Sequence, residues 1–213
     1  MLDATNRLSR FRLAVGPGAP SSRLSTLLAL QRAEEPNIAV TFFETSGDDL
    51  VTDINEGRYD AGISLRDVDT PSVRSQPLWS ENLAVALPLR LPLLDQAKLT
   101  ISQLLDHSVF RWQAESCPLL DQSLSSLPPM NKQSMQPVTS FEMLALKVAA
   151  GYGLGISAQS RIERAHAWGI TTRPLSDGPY EIVTYLQRPH AQADSVFERF
   201  ERRAMEVARA GAA

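Results

Sequence analysis

The spacing of hydrophobic and polar positions changes several times along this chain, and each change marks an element. From Phe11 to Val15 an apolar-rich run ends at Gly16-Pro17-Gly18, and Ser21 or Ser22 then precedes Leu24, Leu27, Leu28 and Leu30 at helical spacing before Pro36. That pattern predicts a strand, a loop and a capped helix. Ile38 to Phe43 alternates and is rich in β-branched and aromatic residues, as a strand should be. Thr45-Ser46-Gly47-Asp48 then leads into a helix bearing Leu50, Val51 and Ile54 that stops at Gly57, and Tyr59 to Leu65 reads as the next strand. Strands separated by helices and short connections predict right-handed βαβ crossovers and a mainly parallel sheet.

The pattern then turns and begins again. Asn82 to Leu89 reads as a strand, but Pro88, Pro92 and the run Leu89, Leu91, Leu93 and Leu94 mark a change of direction, where the first crossing between two lobes is expected. A short helix at Ile101 to Leu105, a strand at Val109 to Trp112, a loose helix at Cys117 to Leu127 and a strand at Gln136 to Thr139 follow. The segment VTSFEMLALKVAAGYGLGIS, Val138 to Ser157, holds a strand end, a capped helix, a glycine stop and a second strand. Thr139 or Ser140 is the expected cap, Phe141, Leu144, Leu146, Val148 and Ala149 the apolar face, and Gly151 to Gly155 the stop before Ile156. A helix at Ala158 to Trp168 and strands at Ile170 to Pro174 and Tyr180 to Leu186 follow. A last helix, Ala193 to Ala208, sets Val196, Phe197, Phe200, Ala204, Val207 and Ala208 on one face and its charges elsewhere.

Composition narrows the function classes. With 213 residues the chain has room for one large domain or two lobes of about 100 residues. Hydrophobic residues at 43%, charged residues at 21% and a net charge of −3 argue against disorder and against a basic nucleic-acid surface. The lone Cys117 leaves no internal disulfide or multi-thiolate metal site and points to a reducing compartment. The start lacks the apolar core of a secretory signal, and no stretch nears the roughly 20 apolar residues of a membrane span, so a cytoplasmic chain without membrane contact is expected. Leu2 to Ser9 reads as the tail of a polar helix, the remnant of a preceding segment.

Catalytic motifs are missing from the pattern. No serine sits in a Gly-x-Ser-x-Gly elbow, Cys117 has no evident histidine partner, and His107, His166 and His190 are dispersed. GYGLG follows a helix and enters a strand, the reverse of the order a dinucleotide loop needs. Glu34-Glu35 and Asp48-Asp49 read as solvated helix-end charges. No enzyme activity, catalytic residue, metal or cofactor is expected.

Four stretches, in this order, resemble the effector-binding domain of LysR-type transcriptional regulators. They are FRLAVG, LLALQRAEEPNIAVTFFETSGDDLVTDINEGRYDAGISL, PLWSENLAVALPLRLPLL and FEMLALKVAAGYGLGIS, and the resemblance runs from about Arg10 to Val207. It implies an α/β fold of the type II periplasmic-binding-protein kind: two Rossmann-like lobes joined by a double crossover, lobe I at 10–86 and 188–213, lobe II at 87–187, with 1–9 the end of a linker helix. The family's winged helix-turn-helix has no room before Phe11, so DNA contact is expected only through a domain absent from this chain. A free solute-binding protein of a transport system is the alternative.

The resemblance also implies a small effector between the lobes. Its contacts would be Ser21 and Ser22 at the first helix start, Thr45 and Ser46 after the second strand, and Ser64 and Arg66 at the end of the YDAGISL strand. From lobe II would come Trp112 and Gln113 with Val138, Thr139, Ser140 and Phe141. Helix starts offer free N–H groups and a positive dipole end, which suits an anionic effector. As simple caps these hydroxyls would contribute about 1 kcal/mol each to folding instead. A homodimer is implied too, the first helix, Ser22 to Ala33, packing against the last, Ala193 to Ala208, of a partner.

Overall fold

In a computed structural model, the structure describes residues 9–19, 21–90, 92–112, 120, 122, 135–190 and 195–210. The expected helix at Cys117 to Leu127 and the polar stretch Leu2 to Ser9 fall largely outside these. The chain divides into two compact units, with boundaries after Trp79 and after Ile182, earlier in sequence than the expected 86/87 and 187/188.

Unit 1 begins with β1 (Ser9–Val15), α1 (Ser21–Glu34), β2 (Ile38–Glu44), α2 (Gly47–Asn55) and β3 (Ala61–Ser64). β1 pairs in parallel with both β2 and β3, as the βαβ pattern requires. β4 (Val73–Pro88) then carries the chain out of unit 1, and β9 (Glu181–Pro189) brings it back, pairing antiparallel with β3. The mainly parallel sheet is therefore a mixed one. Its antiparallel members are the crossing strands, which no local periodicity distinguishes from the others. β4 is also longer than the Asn82 to Leu89 run, because Arg74, Ser75, Gln76 and Pro77 interrupt the apolar pattern of its first half.

One face of this sheet packs on α1 and on α6 (Ser195–Ala210). Phe11, Leu13, Leu27, Ile63, Phe197, Phe200 and Ala204 form its core, with the Phe11 and Phe200 rings 4.9 Å apart. On the other face, Leu50 and Ile54 of α2 cover Ala14 and Val73. Gly62 lies directly beneath α2, where an added Cβ would come within 2.9 Å of Leu50 Cδ1.

Two corrections concern α6. Its buried stripe includes a charge, Arg203, whose side chain is 4% exposed. Arg203 Nε donates to Glu34 Oε2 at 2.5 Å, and its Nη1 donates to Gln31 Oε1 at 2.9 Å and to Glu35 Oε2 at 2.8 Å. Arg199 donates to the other Glu35 oxygen. The first and last helices thus pack within one chain, so this α6 face is not open to a partner's first helix. Glu34 and Glu35 are consequently not both solvated: Glu35 is 13% exposed and ion-paired.

Unit 2 holds the rest of β4, a 3-10 turn at Pro92–Asp95, α3 (Ile101–Leu104), β5 (Val109–Arg111), β6 (Met135–Pro137), α4 (Phe141–Ala149), β7 (Leu154–Ala158), α5 (Gln159–Arg164), a 3-10 turn at His166–Trp168 and β8 (Ile170–Pro174). β5 pairs in parallel with β6 and β7, and β4 pairs antiparallel with β7 and β8. Phe110, Phe141, Leu144, Ala145, Val148, Ile162 and Ile170 fill the core. α4 thus buries Phe141, Leu144, Ala145 and Val148, spaced i, i+3, i+4 and i+7, whereas Leu146 and Ala149 of the expected face point outward, Leu146 at 63% exposed. The expected helix from Ala158 to Trp168 breaks at Ala165 into α5 and the turn.

Candidate functional site

In unit 1 the expected contacts fall on two short loops. Ser21 and Ser22 open α1, but their side chains lie outside the described residues. Ser46 caps α2: its backbone is extended, its Oγ accepts from Asp49 N at 3.2 Å and donates to Asp49 Oδ2 at 2.6 Å. Thr45 is half-buried, and its N–H reaches the Val15 carbonyl at 3.4 Å. Ser64 is 3% exposed and folds back on its own loop, its Oγ accepting from Arg66 N at 3.2 Å and donating to Arg66 O at 3.3 Å. The Arg66 side chain is exposed, while its carbonyl also accepts from Gln187 Nε2 at 2.9 Å. Gln187, a residue sequence reasoning missed, is 1% exposed and lies beside Gly62 on β9. Its Oε1 has no hydrogen-bond partner among the described residues.

In unit 2 the expected contacts gather around the start of α4. Val138 N–H donates to Arg111 O at 2.9 Å, fixing the chain as it leaves β6. Ser140, rather than Thr139, is the cap: its backbone is extended and its Oγ accepts from Met143 N at 3.1 Å. Thr139 is exposed. The first N–H groups of α4 precede its ladder and have no carbonyl one turn back to meet. Phe141 is 3% exposed, and its ring lies 6.1 Å from Trp112 at the end of β5 and 6.1 Å from Trp168. Gln113 lies outside the described residues. Val138 and Trp112 pack against the same core cluster that holds Phe141.

One further residue joins this group. Arg161, from α5, places its guanidinium carbon 4.6 Å from the Trp112 ring centroid and 5.5 Å from that of Phe141. Burial draws its pKa below the ordinary guanidinium value, opposed by the carboxylates of Glu142 and Glu81, while Arg164 adds to the lowering. Glu81 also accepts from Ser160 N at 2.8 Å and so ties β4 to the start of α5. Nothing in the polar stretch SAQSRIERA signals this placement, because Arg161 meets the aromatic residues only through the pairing of β7 with β5.

Among the described residues no cluster of three or more His, Cys, Asp and Glu side chains is arranged to hold a metal, and no helix is long and apolar enough to cross a membrane.

Known proteins place this architecture. The family described as LysR substrate binding domain matches residues 5–209. The probable cat1 operon transcriptional activator of Acinetobacter lwoffii is 30% identical over 130 residues, which span 60% of this chain and 42% of that protein. Among solved structures, the BenM effector binding domain with its effector benzoate superposes with a TM-score of 0.81 at 18% identity, covering 93% of this chain and 91% of that one. The effector binding domain of QuiR in complex with shikimate gives 0.80 at 15% identity, covering 94% and 97%. Full-length BenM carrying E226K gives 0.83 at 18% identity, with 96% of this chain on 69% of that one. The fold shared with these domains is the type II periplasmic-binding-protein kind. The chain belongs to the LysR substrate-binding domain family, the non-enzymatic effector-binding module of LysR-type transcriptional regulators.

Proposed function

We propose that this chain is the ligand-sensing and dimerisation domain of a LysR-type regulator and that its effector is a small organic anion. The observation that carries the reading is the family match over nearly the whole chain, which favours a regulator over a free solute carrier. The chemistry at α4 supports the anion: a capped helix start of nine residues beside a half-buried arginine. The carboxylates benzoate and shikimate, bound to BenM and QuiR, agree with it. Effector contacts would come from Ser21, Ser22, Thr45, Ser46, Ser64 and Arg66 of unit 1, and from Trp112, Gln113, Val138, Thr139, Ser140 and Phe141 of unit 2. Binding would shift the conformational equilibrium of the domain, and DNA contact would lie in a segment outside this chain, in the cytoplasm.

Calorimetry against a panel of small organic acids tests the reading. A saturable response is expected, and Ser140→Ala should weaken it by about 1 to 3 kcal/mol if that hydroxyl or the helix start it fixes meets the effector. A lowered melting temperature with unchanged affinity would leave Ser140 a cap only. Silence across the panel would count against sensing.

For dimerisation, the support is an open groove of about 900 Å³ on unit 1. Leu28 and Ala29 of α1 and Ile38, Val40 and Phe42 of β2 line it, together with the polar Ser25, Arg32 and Glu35. β2 is an edge strand whose Phe42 is 53% and Phe43 37% exposed. A second copy of the chain is the proposed occupant, since an isologous contact would cover this face on both copies at once. Sedimentation should show a dimer at micromolar concentration that Phe42→Glu converts to monomer. A wild-type monomer at that concentration would rule the dimer out.

A further inference from the structure

α4 carries two apolar stripes, and only one of them meets the core of unit 2. Phe141, Leu144, Ala145 and Val148 are buried. Met143, Leu146 and Ala150, spaced i, i+3 and i+7, lie on the opposite side and are exposed, Met143 at 40% and Leu146 at 63%. We propose that this outer face is a self-association surface, through which α4 packs in parallel against α4 of a second copy of the chain. The contact is separate from the groove on unit 1 and does not depend on it.

The order of residues along α4 argues for that occupant. At 3.6 residues per turn, the three outer residues fall within about 60° of one another and centre about 180° from the buried set. They occupy the a, d and next a positions of a heptad, which puts Glu142 at g and Lys147 at e, one on each flank of the stripe. In a parallel pair of helices a g residue meets the e residue five positions later on the other helix. Glu142 therefore faces the partner's Lys147, and the two-fold axis repeats the pair on the other flank. An antiparallel pair would set acid against acid and base against base, so charge selects the parallel arrangement. The Lys147 ammonium is already held 4.6 Å from the Phe110 ring centroid, which leaves less ordering to be done on pairing. Glu142 also feels the charge of Arg161 in its own unit, which weakens the pair without reversing its sign. An unrelated apolar helix could cover Met143 and Leu146, but a second copy supplies the matching acid and base by symmetry alone.

Two large apolar side chains make a face far smaller than a standard interface, so a dissociation constant on the order of 100 micromolar is expected. Sedimentation equilibrium is run on the Phe42→Glu chain, whose groove contact is broken, from about 10 to 500 micromolar. It should be monomeric at the low end and dimeric at the high end. Adding Leu146→Glu should weaken this association at least tenfold, and because Leu146 points to solvent the fold should stand. Glu142→Lys and Lys147→Glu should each weaken it about fivefold, and the two together should restore it to within about twofold. Leu146→Glu decides the matter alone if Lys147→Glu costs the fold by leaving Phe110. The proposal is overturned if the Phe42→Glu chain stays monomeric throughout, if Leu146→Glu associates as strongly as its parent, or if the folded double exchange stays as weak as the singles. A wild-type chain that is monomeric at low micromolar concentration yet associates through Leu146 at the high end would remove the groove dimer and leave the α4 contact standing.

Discussion

Replacing Arg203 by methionine removes the charge that joins α6 to α1 while keeping most of the apolar stem in place. The cost can be worked from the partners left behind. Glu34 has a side chain 48% exposed and returns to water, so its loss counts for under about 1 kcal/mol. Gln31 is 1% exposed and is left with an unmatched Oε1, worth about 1–3 kcal/mol. Glu35, 13% exposed, keeps Arg199 but loses its second cation, so the full cost of about 3–5 kcal/mol for orphaning a buried charge is roughly halved. The sum is about 2.5–6.5 kcal/mol. For a chain of this length that lowers the thermal midpoint by roughly 5–26 °C, at about 2–4 °C per kcal/mol. The second arm is Arg203→Met combined with Glu35→Gln, which removes the orphaned charge as well and should recover 1 kcal/mol or more of the loss. Differential scanning calorimetry of wild type, both singles and the double measures all of it. A midpoint drop under 2 °C for Arg203→Met, or strict additivity in the double, would refute the claim that this cluster fastens the two helices.

Glu35 and the glycines of the GYGLG segment give two more tests. Burial would raise the Glu35 pKa, but hydrogen bonds from Arg199 and Gln31 and the charge of Arg203 outweigh it and hold the carboxyl below its ordinary 4.5. Its contribution is therefore fully present above pH 4.5 and lost as pH falls through the depressed folded value, so the wild-type midpoint should drop in that acid window more steeply than that of Glu35→Gln. At Gly153, an added Cβ would lie 2.1 Å from the carbonyl oxygen of Ser108, which is backbone and cannot swing aside. Gly153→Ala should cost at least about 3 kcal/mol or block folding, whereas Gly151→Ala, with nothing within 4 Å but φ at +80°, should cost about 1 kcal/mol. Equal effects at the two positions in urea unfolding would overturn this account of the GYGLG segment.

The βαβ order of both units was legible in the chain because it is written in local period, and so was a cap at Thr139 or Ser140, which needs only three residues of context; the structure chose Ser140. What stayed hidden depends on distant partners. Arg203 and Glu35 read as solvent-facing charges because each becomes tolerable inside only when the other arrives from the far end of the chain. The first half of β4 is polar in sequence, so its strand character shows only in the fold. Leu146 reads as core by its hydrophobicity, yet the helical angle set by Phe141, Leu144 and Val148 turns it outward. Arg161 reached the candidate site through strand pairing, and Gln187 through a strand that returns from the other unit.

The double crossing by β4 and β9 has a consequence for how the protein is made. Unit 2, Ser80–Ile182, is one uninterrupted stretch and can fold as soon as it has emerged from the ribosome. Unit 1 cannot: Phe11 must wait for Phe200, and Gln31 for Arg203, so its opening strands and α1 spend the synthesis of unit 2 without their cover. At translation rates of about 5–20 residues per second that interval lasts on the order of 5–20 seconds. During it the apolar residues of β1 and α1 are exposed beside an open β2 edge, which makes the nascent first half of this chain the segment most in need of chaperone protection.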